Sequence, residues 1–296
     1  MGKEQKKGLI IKATGGFYYV ETETTVYECK ARGVFRKNSI SPVVGDTVTI
    51  EIPDEGYALI NDIEKRKNYI VRPPLSNIDN LVLVVSTTEP EPNALIIDKM
   101  LAVAEINDIN PIIVFTKADL KQSCGLEQIY RDSGFDVFSC FEGIMENKDS
   151  FLEMLRGNKI TALTGNSGVG KSTLINGLFP NLSLQTGDIS KKLGRGRHTT
   201  RTVELFKTGD FYIADTPGFS TFDMQRYDIK KKEELAYCFR EFNDYIGTCR
   251  YSSCTHICEP GCAVIDAMNN GHIHKSRYNS YCSMYNEIKD LKDWME

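Results

Sequence analysis

Gly165-Asn166-Ser167-Gly168-Val169-Gly170-Lys171-Ser172 is a G-x-x-x-x-G-K-S loop set between the apolar run Ile160-Thr161-Ala162-Leu163 and a helical stretch from Thr173 to Phe179. A phosphate cradle requires that setting. A strand delivers the loop, glycines let backbone N–H groups turn inward around a β-phosphate, and a helix beginning at the lysine points its dipole at the anion. Lys171 then reaches the β- and γ-phosphates and the Ser172 hydroxyl ligates Mg²⁺, with Thr173 in the same first turn. The stretch predicts a nucleoside triphosphate site built from residues 165–173.

The chain around this loop has 296 residues, enough for two or three domains with their own cores. With 41% hydrophobic and 26% charged residues, it has the composition of a soluble globular protein. Its start, Met1-Gly2-Lys3-Glu4-Gln5-Lys6-Lys7, lacks an apolar signal core, and Lys6 stands where N-myristoylation wants Ser or Thr. The longest apolar runs, such as Leu81 to Val85, are strand-sized and too short to span a bilayer, so a cytoplasmic protein is expected. A net charge of −4 excludes a protein that coats nucleic acid with its entire surface, and any such contact must use local patches.

Upstream of the loop, Leu81-Val82-Leu83-Val84-Val85 and Pro111 to Phe115 read as strands buried on both faces. Between them Ile97, Met100, Leu101 and Ala104 fall at helical spacing, so this region is α/β. The second strand ends in Thr116-Lys117-Ala118-Asp119, which is similar to the N-K-x-D base-specificity element of GTPases, with threonine for asparagine. The two oxygens of Asp119 can accept from the N1–H and amine of guanine together. Adenine would leave that carboxylate unpaired, a discrimination of roughly 10⁴-fold. The Lys117 stem can cover the base plane. Asp136 to Ser139 is a further short strand, and Ser139-Cys140 is either a backbone contact to the base or a plain strand end. Arg72-Pro73-Pro74 marks a boundary ahead of this region, since consecutive prolines continue neither a ladder nor a helix.

Downstream, residues 189–201 carry Lys191, Lys192, Arg195, Arg197, His198 and Arg201 with no acidic residue. Gly194-Arg195-Gly196-Arg197-His198-Thr199-Thr200 reads as a mobile loop in which Thr199 or Thr200 closes on Mg²⁺ and the γ-phosphate, as a switch I does. Asp215-Thr216-Pro217-Gly218 is a D-x-P-G element, with Asp215 holding Mg²⁺ through water and the Gly218 N–H sensing the γ-phosphate. Phe219 stands where Ras-like enzymes carry a water-orienting glutamine, which predicts slow intrinsic turnover. His198 is the candidate catalytic residue to orient or deprotonate the water, with an RNA contact as the competing reading. The base element precedes the phosphate loop, the reverse of the usual order, so the nucleotide domain is circularly permuted.

Residues 8–68 contain five short strands, with Val48, Ile50 and Ile52 alternating with Thr47, Thr49 and Glu51, the size of an OB-type barrel. Tyr18, Tyr19, Tyr27 and Phe35 either stack nucleobases or fill the barrel, and Lys12, Arg32, Arg36 and Lys37 either meet phosphates or solvate it. At the other end Asp228 to Ile246 reads as a helix, followed by Cys249-x4-Cys254-x-His256-x5-Cys262. Three thiolates and one imidazole match a closed, structural zinc site, with Cys258 as a fifth candidate. Tyr278, Tyr281, Tyr285, Ile288, Leu291 and Trp294 line one stripe of a terminal helix. The predicted fold is therefore multidomain: an all-β OB-type RNA-binding barrel (residues 1–70), a permuted α/β P-loop GTPase domain (71–222) and a mainly helical zinc-binding domain (223–296).

A small barrel, T-K-A-D-L before G-N-S-G-V-G-K-S-T, then G-R-G-R-H-T-T, D-T-P-G-F and C-x4-C-x-H-x5-C with E-P-G-C-A-V together resemble the RsgA family of permuted GTPases. The resemblance spans nearly the entire chain. It implies GTP hydrolysis to GDP and phosphate, stimulated by the small ribosomal subunit, in the late maturation of that subunit. It also implies ribosomal RNA contacts through the barrel and zinc domains, and a monomer without membrane or DNA partners is expected. Thr116 and the extra Cys258 are departures from the family pattern. Two other classes remain open on the residues alone: an RNA-binding scaffold with a structural nucleotide, and a metabolic ATPase or kinase, against which Asp119 argues.

Overall fold

The computed structural model describes residues 4–33, 35, 40–71, 73–120, 125–180, 203–215 and 232–288. Strands β1 (Glu4–Thr14), β2 (Phe17–Glu21), β3 (Val26–Ala31), β4 (Thr47–Ile52) and β5 (Ala58–Ile63) close into a barrel in the order β1-β2-β3-β5-β4. The long β1 makes closure possible by pairing with both β2 and β4, while β3 and β5 run parallel. Ile10, Val20, Cys29, Val48, Ile50 and Ile60 fill the interior. The alternation in β4 holds as far as Ile50. Glu51, on its polar side, is buried, because its Oε2 accepts from Arg32 Nη2 (2.8 Å) and Asn61 Nδ2 (3.1 Å). Arg32, itself exposed, thus has an acidic partner in Glu51.

The expected break at Arg72-Pro73-Pro74 is crossed by a ladder. Strands β6 (Tyr69–Val71) and β7 (Pro74–Ser76) pair antiparallel with Val71 opposite Pro74. A proline is tolerated as the first residue of such a strand, where no ladder donor is demanded of it.

The remaining elements alternate: β8 (Asn80–Ser86), α1 (Ala94–Ile106), β9 (Asn110–Thr116), α2 (Leu126–Asp132), β10 (Asp136–Phe141), β11 (Ile144–Met145), α3 (Lys148–Leu155), β12 (Ile160–Thr164), α4 (Lys171–Leu178), β13 (Leu205–Thr208) and β14 (Phe211–Asp215). They form a seven-stranded sheet in the order β11-β10-β9-β8-β12-β14-β13. Every residue of β8 is buried, as its unbroken apolar run requires. Asn93 caps α1 by accepting from the Ile96 N–H. The base-element strand β9 thus comes before the phosphate-loop strand β12 in the chain, which is the permuted order. By packing, the chain divides into two compact units, one holding the barrel with β12 to β14 and the other holding the base element, the phosphate loop and the C-terminal segment.

In the C-terminal segment the expected helix over 228–246 is absent where the structure describes it. Two 3₁₀ turns, Leu235–Cys238 and Arg240–Phe242, take its place, and Phe239 between them is extended (φ −106°, ψ 96°). Phe239 stacks on Phe242 at 5.1 Å and meets Tyr281 edge-on at 5.4 Å. Leu235, Phe239 and Phe242 are fully buried against α5 (Ala263–Asn269) and α6 (Lys275–Ile288), so their apolar spacing reports burial and not helicity. Tyr278, Tyr281 and Ile288 lie on the buried side of α6. Among the described residues no helix is long and apolar enough to cross a membrane.

Candidate functional site

Gly165 opens the phosphate loop at φ +150°, and a Cβ there would stand 2.3 Å from the Val84 carbonyl oxygen, so only glycine fits. Gly170, at φ +93°, turns the chain into α4. Lys171 begins that helix and donates from Nζ to the carbonyl oxygens of Gly165 (2.7 Å) and Asn166 (2.9 Å). Its ammonium is therefore held over the mouth of the loop, where a phosphate would exchange those carbonyls for stronger anionic acceptors. Ser172 and Thr173 follow in the first turn, both exposed.

The base element fastens onto this loop. Thr116 Oγ1 donates to the Val169 carbonyl, and Lys117 Nζ donates to those of Glu89 and Gly168, the latter at 2.9 Å. Two consecutive residues of one motif thus hold two consecutive carbonyls of the other. The threonine hydroxyl supplies the loop contact without an amide. Lys117 takes φ +58° to reach its two acceptors, and the Thr87 hydroxyl steadies the turn by donating to the Lys117 carbonyl at 2.7 Å.

Asp119 Oδ1 accepts the Glu142 N–H at 3.2 Å, and the Ala118 N–H donates to the Cys140 carbonyl at 3.3 Å. Ser139 and Cys140 are buried at the end of β10, with Ser139 paired opposite Phe115. The Ser139-Cys140 segment therefore borders the base element and helps orient Asp119. Glu89, Thr87 and Glu142 were not singled out from sequence, because each contributes through its backbone or a short hydroxyl, which leaves no motif. Asp215 ends β14 opposite Leu163 of β12. His198, Thr199, Thr200 and Gly218 lie outside the described residues.

The second cluster is Cys249, Cys254, His256 and Cys262, whose ligand atoms all lie within 4.8 Å of one another. His256 Nδ1 is 3.5 Å from Cys249 Sγ and 3.4 Å from Cys262 Sγ, and the two sulfurs are 3.9 Å apart. Tetrahedral zinc with its usual bond lengths separates such ligands by about 3.5–3.8 Å, so the donor set fits that ion. Burial pushes the Cys254 thiol up to about 12 and the His256 imidazole down. A metal would take up the thiolates and release their protons. His256 sits at φ +60°, with its carbonyl accepting from Tyr278 Oη at 3.0 Å, while Tyr281 Oη donates to the Thr255 carbonyl at 2.7 Å. Burial, which would raise the Glu259 carboxyl, is outweighed by hydrogen bonds from Thr255 and the backbone, which hold it at about 2 and so tie the knuckle together. Cys258 is exposed and stands outside the group.

The family model for the RsgA GTPase matches residues 63–225, and that for the RsgA N-terminal domain matches residues 7–60. The small ribosomal subunit biogenesis GTPase RsgA of Caldanaerobacter subterraneus subsp. tengcongensis is 42% identical over 97% of this chain and 97% of its own length. RsgA 2 of Listeria monocytogenes is 43% identical over 97% and 98%. Among solved structures, YloQ, a circularly permuted GTPase, superposes with a TM-score of 0.78 at 36% identity, covering 98% of this chain and 96% of its own. YjeQ from Thermotoga maritima gives 0.78 at 33% identity, covering 97% and 99%. A phosphate loop clamped by a preceding base element, a five-stranded barrel and a Cys₃His cluster, matched along almost the full length, place the chain in the RsgA GTPase family as a GTP-hydrolysing, circularly permuted enzyme.

Proposed function

We propose that this protein hydrolyses GTP to GDP and phosphate in the late maturation of the small ribosomal subunit, that the subunit stimulates the reaction, and that nucleotide state sets its binding and release. The observation that carries the reading is the clamp of Thr116 and Lys117 on the Gly168 and Val169 carbonyls, which makes base and phosphate recognition parts of one site. Curated relatives bearing the name of small ribosomal subunit biogenesis GTPases supply the partner. In this reading Asp119 selects guanine with support from Thr116, Lys117, Ser139 and Cys140. Residues Gly165 to Thr173 hold the phosphates, and Thr199, Thr200 and Gly218 respond to the γ-phosphate. Ser172, with Asp215 through water, would hold a Mg²⁺ that neutralises charge on the phosphates. His198 orients the attacking water when the subunit is bound. Zinc on Cys249, Cys254, His256 and Cys262 is structural.

The corresponding domain division is residues 1–70, 71–222 and 223–296, with ribosomal RNA met by the barrel and the zinc domain and the protein acting as a cytoplasmic monomer. Phosphate release measured with and without purified small subunits tests the reading. Strong stimulation in the unaltered chain, lost in His198→Ala with GTP affinity unchanged, is expected. Equal turnover in both conditions overturns the stimulated-GTPase reading, and stimulation that survives in His198→Ala removes that residue from the chemistry.

A further inference from the structure

Strand β13 is the terminal strand of the seven-stranded sheet, and an edge of this kind needs cover. The barrel supplies it. In β1 a bulge at Ile11 shifts the register between Ile10 and Lys12, and a bulge re-aims the side chains that follow it. Lys12 then forms an antiparallel bridge with Glu204, just ahead of β13, and its Nζ pairs with Glu204 Oε2 at 3.0 Å. Beside it, Glu21 at the end of β2 accepts from Lys207 Nζ on β13 (3.2 Å) and from Tyr212 Oη on β14. Lys207 also lies over the Tyr212 ring, 5.5 Å from its centre. The barrel therefore grips both strands of one hairpin by main-chain and side-chain contacts.

That hairpin is a particular piece of chain. Residues 189–201, read as the γ-phosphate-sensing loop, precede it directly, and Asp215-Thr216-Pro217-Gly218 follows it directly. A displacement of either segment must be carried by β13 and β14, whose Gly209 turn ties them as a unit. The grip is polar and partly solvated, with Lys207 half exposed and Lys12 and Glu204 each 37% exposed. Contacts of this kind are each of small net energy, which suits a junction that must change with state.

We infer that Glu21, Lys207 and Tyr212, together with the Lys12–Glu204 bridge, form a latch through which the β13–β14 hairpin transmits nucleotide state to the barrel. The inference rests on the reading of 189–201 and 215–218 as nucleotide-sensing segments, and it gives the proposed docking cycle a physical path. Reciprocity follows: an RNA that holds the barrel would in turn bias the hairpin and the nucleotide it prefers.

Hydrogen exchange on the full chain, loaded with GDP or with a non-hydrolysable GTP analogue, tests it. Peptides covering 4–21 should exchange at rates that differ between the two states by about fivefold or more. Glu21→Gln, and separately Lys207→Met as a second conservative disruption, should abolish that difference while nucleotide affinity and the response of peptides covering 189–218 stay as in the unaltered chain. Persistence of the difference in both variants overturns the latch. So does an unaltered chain in which 189–218 responds and 4–21 does not. If neither region responds although GDP and the analogue both bind, the sensing-segment reading fails and the latch fails with it.

Discussion

The C-terminal segment and the barrel are each fastened to a piece of the nucleotide fold, and they are fastened in opposite ways. On α1, Asp98 takes Arg277 from α6, and the same guanidinium pairs with Glu241 while lying 4.6 Å from the Phe239 ring centre and 5.3 Å from that of Phe135. Arg277 is 1% exposed. Burial, which would lower its pKa, is outweighed by Asp98 and Glu241, which push it above its ordinary value. Lys99–Glu287 and Arg240–Glu105 flank this pair on the same helix. At the barrel, by contrast, Glu21, Lys207, Lys12 and Glu204 remain partly in water. Both junctions join basic to acidic side chains. Desolvation makes one of them all-or-none, because a buried charge tolerates no lost partner, while solvation lets the other open at small cost.

The largest effect should come from removing the metal proposed for Cys249, Cys254, His256 and Cys262. A strong chelator should melt the packing around Leu235, Phe239, Phe242 and Tyr281, because a closed Cys₃His site contributes folding energy directly. Loss of near-ultraviolet tyrosine signal with the barrel's exchange protection intact would sharpen the contrast, and an unchanged spectrum on verified metal loss would break it. Next comes Arg277→Ala, which strands two buried carboxylates and should cost about 3–5 kcal/mol in urea unfolding. A cost below about 1 kcal/mol would mean that the junction is as soft as the barrel's. Thr116→Val removes the hydroxyl that holds the Val169 carbonyl and should weaken GDP binding by about tenfold, read by calorimetry, with little change in stability. Smallest of all, Glu21→Gln should alter global stability by less than about 1 kcal/mol while changing the response described above.

Much of this was legible in the sequence, and the reasons are local. The phosphate loop, the base element and the Cys₃His spacing each carry, at fixed offsets, residue types that such chemistry demands. The barrel declared itself through the alternation in β4. Where prediction failed, a distant contact had the deciding vote. Phe239 leaves helical geometry where Tyr281 of α6 meets its ring edge-on. Glu51 is buried because Arg32, nineteen positions away, reaches it. Nothing local marks Asp98 and Arg277 as a pair, because 179 positions separate them. Glu21 and Lys207, 186 positions apart, were invisible for the same reason.

In the proposed cycle guanine nucleotide state sets attachment to the small ribosomal subunit. Co-sedimentation of the full chain with purified small and large subunits, in the presence of a non-hydrolysable GTP analogue or GDP, tests it most directly. Recovery with the small subunit in the analogue state, release with GDP, and loss of that contrast in Lys171→Ala are expected. Equal recovery in both nucleotide states, or preference for the large subunit, would contradict it.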